Sequence, residues 1–286
     1  MILISGSNGL LGTSLKRYFN YKKIKYCTIG RQNCNYNGNI QNNLFVEKTI
    51  KNVMPNIFIN LAAITDVDYC EKNREIVYKI NTEFPEVVAK TLKSSLENYY
   101  IIQISTDQIY SGKGPHKEDS PNPINQYSKS KYEIEKILLN YNSISLRTNF
   151  FGKSQNDNKF SFSDNIYNSC INKSDLNIFN DVYFSPVSFN TIFDVVEILI
   201  KKKIYGIYNL GTKNGMSKKE FALYFCECLN LNTKYIIGNS LKDINLTAKR
   251  PNDMRLDSSK LEVDLNIKFS NLRNEINSVK ENYIKC

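Results

Sequence analysis

The sequence predicts an α/β fold, a doubly wound parallel sheet with a smaller C-terminal α/β domain. Three observations predict it. Short apolar runs alternate with helical patterns through the first half of the chain. Those runs are continuously hydrophobic, as strands buried on both faces must be. A glycine-rich turn follows the first run directly. At 286 residues the chain can hold one large core and a second, smaller one.

The elements follow in order. Residues 1–5 read as a strand and 10–19 as a helix, with Leu11, Leu15 and Phe19 at four-residue spacing. Residues 26–29 form a second strand, and a helix over 44–53 stops before Pro55. Residues 57–61 are a third strand, 76–96 a long helix, and 99–105 a fourth strand. Glycine and proline mark 111–123 as a loop. A helix over 126–140 and a strand over 144–146 complete the first domain, assigned to residues 1–150. Beyond Arg147 the pattern changes. Residues 160–171 and 191–200 read as helices, and 207–210 as a strand able to rejoin the sheet. A helix over 217–229 has Ser217 as N-cap and Glu220 three residues later, the spacing of a capping box. The smaller domain is therefore expected from 151–185 and 211–286, with a segment near 186–210 returning to the first.

Composition narrows the function. The chain is 41% hydrophobic and 23% charged, ordinary for a globular protein. The net charge of +10 is spread over scattered lysines, whose densest runs are Lys22-Lys23-Ile24-Lys25 and Lys201-Lys202-Lys203. That reads as solvated surface with a field that attracts an anionic substrate, not as a nucleic-acid site. No apolar run approaches the ~20 residues of a membrane span, and the N-terminus lacks the pattern of a signal peptide. Seven cysteines without a C-x-x-C pair read as reduced cytosolic thiols. The single histidine, His116, lies in a predicted loop and is taken as a surface residue; no metal site is expected.

Gly6-Ser7-Asn8-Gly9-Leu10-Leu11-Gly12 is a G-x-x-G-x-x-G turn between the first strand and the first helix. Gly6 supplies positive φ, Gly9 lets the backbone approach a pyrophosphate, and Gly12 lets the helix pack against the sheet. The helix N-terminus offers free N–H groups to the phosphates. In its strand–turn–helix context this reads as a Rossmann-like dinucleotide fingerprint, the alternative being a glycine-rich turn without ligand. After the second strand, where a carboxylate would bind the ribose 2′-hydroxyl, stands Arg31. It is either a guanidinium for the 2′-phosphate of NADPH or a solvated surface residue, and NADPH is favoured with NADH possible. Asn39 and Ile40 are placed to contact adenine. Leu61, Ala62 and Ala63 either make room for the ribose or pack the core. The cofactor set is thus Gly6, Asn8, Gly9, Leu10, Leu11, Gly12, Arg31, Asn39, Ile40, Leu61, Ala62 and Ala63, joined by Tyr127 and Lys131.

Tyr127 and Lys131 form Y-x-x-x-K on one helix face. A nearby ammonium favours phenolate, so the pair is expected to lower the tyrosine pKa from ~10 and serve proton transfer. With 19 tyrosines in the chain, chance pairs are common. The fourth strand, however, ends in Ser105-Thr106-Asp107, at the edge where doubly wound sheets bind ligands. Thr106 is placed to hold a carbonyl and Asp107 a substrate hydroxyl; the alternative is a turn-forming pair.

Taken in order, the glycine turn, Asn60-Leu61-Ala62-Ala63, Ser105-Thr106-Asp107 and Y-x-x-x-K resemble the extended short-chain dehydrogenases. Among these the chain is most similar to the dTDP-4-dehydrorhamnose reductases. The resemblance continues through Ser145-Leu146-Arg147-Thr148, Asp181-Val182-Tyr183-Phe184-Ser185-Pro186, Gly206-Ile207-Tyr208-Asn209-Leu210 and Arg250-Pro251-Asn252-Asp253-Met254-Arg255. It implies reduction of a keto group on a nucleotide-linked sugar, with Thr106, Tyr127 and Lys131 catalytic and Asp107 and Phe150 touching the sugar. Arg250 and Arg255 then either contact the diphosphate or tie the domain together. Phe150 stands where the family usually has tryptophan, Asn149 where it tends to have serine, and Asn39 where an acidic residue is common. Dimers occur among such relatives, so a homodimer is compatible.

Neighbouring chemistries on this fold are weighed by the same residues. A dehydratase of this kind would carry a carboxylate where Gln108 stands. A fucose-synthase-like epimerase-reductase would need a cysteine beside His116. A 4-epimerase retaining NAD uses the same threonine, tyrosine and lysine. A non-catalytic NADP-binding regulatory subunit would not need them intact.

Overall fold

The computed structural model describes residues 1–156 and 158–284, so Cys286, counted above among the thiols, lies outside the described residues. The central sheet has seven strands: β1 (Ile2–Ser5), β2 (Tyr26–Gly30), β3 (Tyr36–Asn37), β4 (Ile57–Asn60), β5 (Tyr100–Ile104), β6 (Ser143–Thr148) and a last strand, Gly206–Leu210. Their spatial order is Gly206–Leu210, β6, β5, β4, β1, β2, β3, and every neighbouring pair is parallel. The order reverses between β1 and β4. Connections leaving those two carboxyl ends diverge to opposite faces and leave a crevice for ligand.

The alternation of side chains explains why the strands are apolar throughout. Ile2 and Ile4 enter one buried layer and Leu3 the other; Ile57 and Ile59 are opposed to Phe58, and Ile102 to Ile101. Helix α1 (Leu10–Tyr21) covers the first layer with Leu11, Leu15 and Phe19, beside the helix Phe189–Lys202. Helix α2 (Asn43–Val53), the helix Phe84–Ser95 and the helix Gln126–Leu138 cover the other. A third apolar cluster, including Phe151, Ile166, Phe221, Phe225 and Tyr283, holds the C-terminal elements together. These include a parallel pair, Leu176–Phe179 with Ile236–Asn239, and the helix Lys218–Cys228, whose Ser217–Glu220 capping box forms as the spacing predicts. No helix among the described residues is long and apolar enough to cross a membrane.

Two expectations need correction, and two short elements add to the predicted set. The long helix over 76–96 is interrupted: a π turn, Lys79–Glu83, separates Arg74–Tyr78 from Phe84–Ser95. The extra residue turns Asn81 inward, where its amide bonds both the N–H and the carbonyl of Ile64 and the Ser130 hydroxyl, at 2.8, 3.0 and 3.1 Å. The short edge strand β3 and the helix Val67–Lys72 were not anticipated, being too brief for a periodic signal. His116 is not a surface residue. It is 6% exposed, stacks on Tyr110 at 4.8 Å, and its Nε2 meets the Asp253 carbonyl at 2.9 Å. The loop carrying it is drawn under the C-terminal segment by backbone bonds His116 N–H to Arg255 O and Asp257 N–H to His116 O, both 2.8 Å.

Candidate active site

The glycine turn sits at the mouth of the crevice. Gly6 has φ +68°, and a Cβ there would stand 2.5 Å from the Ala62 nitrogen. A Cβ on Gly12 would fall 2.3 Å from the Gly6 carbonyl oxygen, so only glycine allows α1 to start this close to the sheet. Gly9 is the N-cap of α1, which has no side-chain capping bond and no acidic residue in its first turn. Its leading N–H groups are left for an anion, as a dinucleotide pyrophosphate requires.

Two adjoining cavities meet at this turn. The larger, about 620 Å³, runs toward the end of β2 and is lined by Gly6, Asn8, Gly9, Arg31, Ile40, Leu61, Ala62 and Ala63 among others. Among the described residues its lining contains Arg31 and Lys159 and no carboxylate. Asn39 lines neither cavity; its exposed side chain accepts from the Gln41 N–H at 3.1 Å, closing a local turn. The second cavity, about 330 Å³, lies over the carboxyl ends of β1, β4 and β5. It brings together Gly6, Gly9, Leu10, Leu11, Gly12, Thr106, Asp107, Tyr127, Lys131, Asn149 and Phe150.

The helix Gln126–Leu138 presents Tyr127 and Lys131 to this cavity. Asn125 caps it, accepting from the Ser128 N–H at 2.8 Å, while the Asn125 amide reaches Gln108 and the Lys249 carbonyl at 3.3 and 3.0 Å. One turn beyond Lys131, Glu135 is wholly buried and paired to Arg147 at 2.8 Å; Arg147 also donates to the Tyr110 hydroxyl at 2.6 Å. This buried network fixes the helix against β6. Thr106, by contrast, ends β5 and caps the turn Asp107–Ile109, its hydroxyl accepting from the Gln108 N–H at 3.2 Å. Thr106 thus combines the capping geometry with a place in the cavity lining.

The electrostatics differ from expectation at one point. Burial pushes the Tyr127 phenol above its ordinary value, opposed by a hydrogen bond with Thr106 and reinforced by the Asp107 charge. Lys131 does not lower it. The Lys131 ammonium donates to the Ile104 carbonyl at 2.7 Å, and burial lowers its own pKa to about 8. The physical reason is desolvation: the phenolate would lie in the same dry cavity that makes the ammonium costly. Asp107 is raised to about 6, again by burial, against the pull of the Asn149 amide at 2.8 Å and of Lys218.

Arg250 and Arg255 fall outside the second cavity. Arg250 pairs with Asp68 at 3.0 Å and donates to the Ala248 carbonyl. Arg255 pairs with Asp253 at 2.7 Å and reaches the Gly114 carbonyl. Both are engaged as ties, and both line a separate cavity of about 510 Å³ beside Tyr183. His116 lines none of the cavities at the glycine turn. Sequence reasoning missed three residues here. Lys218 begins a helix of the C-terminal elements and acts on Asp107; Lys159 lines both cavities at the turn; Asn81 anchors the helix bearing Tyr127. None had a local signal, because each reaches the site through tertiary packing.

Comparison with known proteins gives a consistent picture. A family profile described as the RmlD substrate binding domain matches residues 1–284. The chain is 28% identical to a dTDP-4-dehydrorhamnose reductase of Aggregatibacter actinomycetemcomitans, over 98% of each chain. It is 24% identical to the methionine adenosyltransferase 2 subunit beta of Danio rerio, over 96% of this chain and 88% of that one. The crystal structure of a dTDP-4-dehydrorhamnose reductase from Clostridium acetobutylicum superimposes with a TM-score of 0.87 at 26% identity, covering 100% of this chain and 99% of that one.

Proposed function

The chain belongs to the family of the RmlD substrate binding domain, and we propose that it reduces the 4-keto group of a nucleotide-linked 6-deoxysugar with NADPH, NADH being a possible substitute, in carbohydrate biosynthesis. The observation that carries this reading is a single cavity lined both by the glycine turn and by Thr106, Tyr127 and Lys131. The vacant first turn of α1, the close-packed glycines and the carboxylate-free lining around Arg31 fit a dinucleotide with a 2′-phosphate. When bound, that dinucleotide supplies a hydride to the keto carbon.

The chain's own residues handle the proton. A phenol held protonated by burial is a donor, so Tyr127 gives its proton to the carbonyl oxygen. The Thr106 hydroxyl, in the same cavity lining, positions the same oxygen. Lys131 is ammonium at neutral pH with a value near 8, and its bond to the Ile104 carbonyl sets it in the cavity wall beside the reacting groups. Asp107, held by Asn149, accepts from a sugar hydroxyl while ionised. Phe150, partly buried against Phe189, offers a flat apolar wall to the sugar ring. A homodimer and a cytoplasmic location belong to the same reading, and sedimentation tests the first.

The function is tested by following NADPH and NADH absorbance with dTDP-, GDP-, UDP- and CDP-linked 4-keto-6-deoxyhexoses. Net oxidation of one reduced cofactor per sugar is expected with at least one of them. An epimerase would interconvert sugars without net oxidation, and a binding subunit would turn over none.

A further inference from the structure

Lys159 lines both cavities at the glycine turn. The residues common to the two linings are Gly6, Gly9, Leu61, Ala63 and Lys159. They mark the middle of the groove, where one half of a dinucleotide passes into the other. Four of them belong to the sheet edge and the turn. Lys159 comes from a different stretch of chain, after β6, and the contacts of its neighbours bring it there. The Asn156 amide donates to the Asn8 carbonyl at 3.0 Å and to the Thr13 hydroxyl at 3.5 Å, and Arg17 bonds Gln155. The Lys159 side chain is exposed and makes no hydrogen bond or ion pair with the other described residues. It is a cation in a groove whose larger half, among the described residues, contains Arg31 as its other charge and no acid.

Resting on the dinucleotide reading above, we propose that Lys159 is a cofactor-positioning residue that holds the diphosphate bridge together with the α1 N-terminus. Arg31, at the β2 end, distinguishes the 2′-phosphate; Lys159 serves any dinucleotide, because NADPH and NADH share the bridge. The two cations divide the work by position.

Fluorescence and calorimetric titration of the full chain tests this without turnover. The probes are NADPH, NADH, ADP-ribose, which keeps the diphosphate, and 2′-AMP, which lacks it. Lys159→Ala is expected to weaken the first three about fivefold each, the scale of one partly solvated charge pair, and to leave 2′-AMP unchanged. Lys159→Arg restores most of the loss. Arg31→Ala shows the complementary pattern, weakening NADPH and 2′-AMP. Native-like ADP-ribose binding by Lys159→Ala overturns the proposal. So does an equal loss for 2′-AMP, which would reveal only a diffuse field. If the native chain binds none of the dinucleotides, the cofactor reading itself fails, a result distinct from either.

Discussion

Replacing Tyr127 by phenylalanine removes one oxygen from the cavity and little else. The ring is 7% exposed, so phenylalanine keeps its packing against Val67, Val77 and Ala248. Thr106, beside the lost hydroxyl in the cavity lining, keeps its bond from the Gln108 N–H. Stability should therefore change by no more than about 1 kcal/mol, the net worth of one hydrogen bond. The chemical cost is larger. Burial holds this phenol protonated well above neutral pH, so in the native enzyme a donor is present in every molecule. General acid catalysis contributes roughly 10²–10⁴-fold, which at 1.36 kcal/mol per tenfold is about 3–5 kcal/mol of barrier. Steady-state NADPH oxidation should show kcat lowered by at least about 10², with NADPH affinity by fluorescence nearly intact. A variant turning over within threefold of native would remove the phenol from the mechanism. Loss of cofactor binding in step with kcat would instead make Tyr127 a binding residue.

Further expectations follow from the same geometry. Asp107 is ionised only above about pH 6, so kcat/KM should fall as pH drops through that value; Asp107→Asn should be slower and lack this limb, and an unchanged limb would assign it elsewhere. The Lys131 pKa near 8 is below its unfolded value of 10.5, so the unfolded chain binds more protons between them and this lysine makes stability rise with pH in that window; urea titrations of Lys131→Met should show a flatter rise. Arg147→Met leaves Glu135 buried without its partner and should cost about 3–5 kcal/mol in urea unfolding, whereas Arg147→Met with Glu135→Leu should recover part of it. Arg31→Ala should lose more affinity for NADPH than for NADH, and equal losses would leave Arg31 a surface residue.

What was legible in the sequence was what local pattern encodes. Apolar runs such as Ile57–Asn60 mark strands because both faces are buried, and Gly6 and Gly12 mark the turn because no side chain fits there. The juxtaposition of Thr106 with Tyr127 followed from knowing where strand ends lie in such a sheet. The rest depended on packing. The Tyr127 phenol was expected to fall and instead rises, since one-dimensional spacing shows the neighbouring ammonium but not the desolvation acting on both groups. His116 was placed on the surface because glycine and proline surround it, though the segment is buried by its bonds to Arg255 and Asp257. Asn81 owes its role to one extra residue in a helix, a defect that hydrophobic periodicity averages away.

The most direct test is a single turnover with NADPH dideuterated at the nicotinamide C4 and a nucleotide-linked 4-keto-6-deoxyhexose, the product being examined by NMR. One deuterium on the sugar's new carbinol carbon, with one NADP⁺ formed per sugar, is the predicted result. Product carrying no deuterium, or sugar converted with the NADPH intact, would contradict hydride delivery into the cavity walled by Tyr127, Lys131 and Thr106.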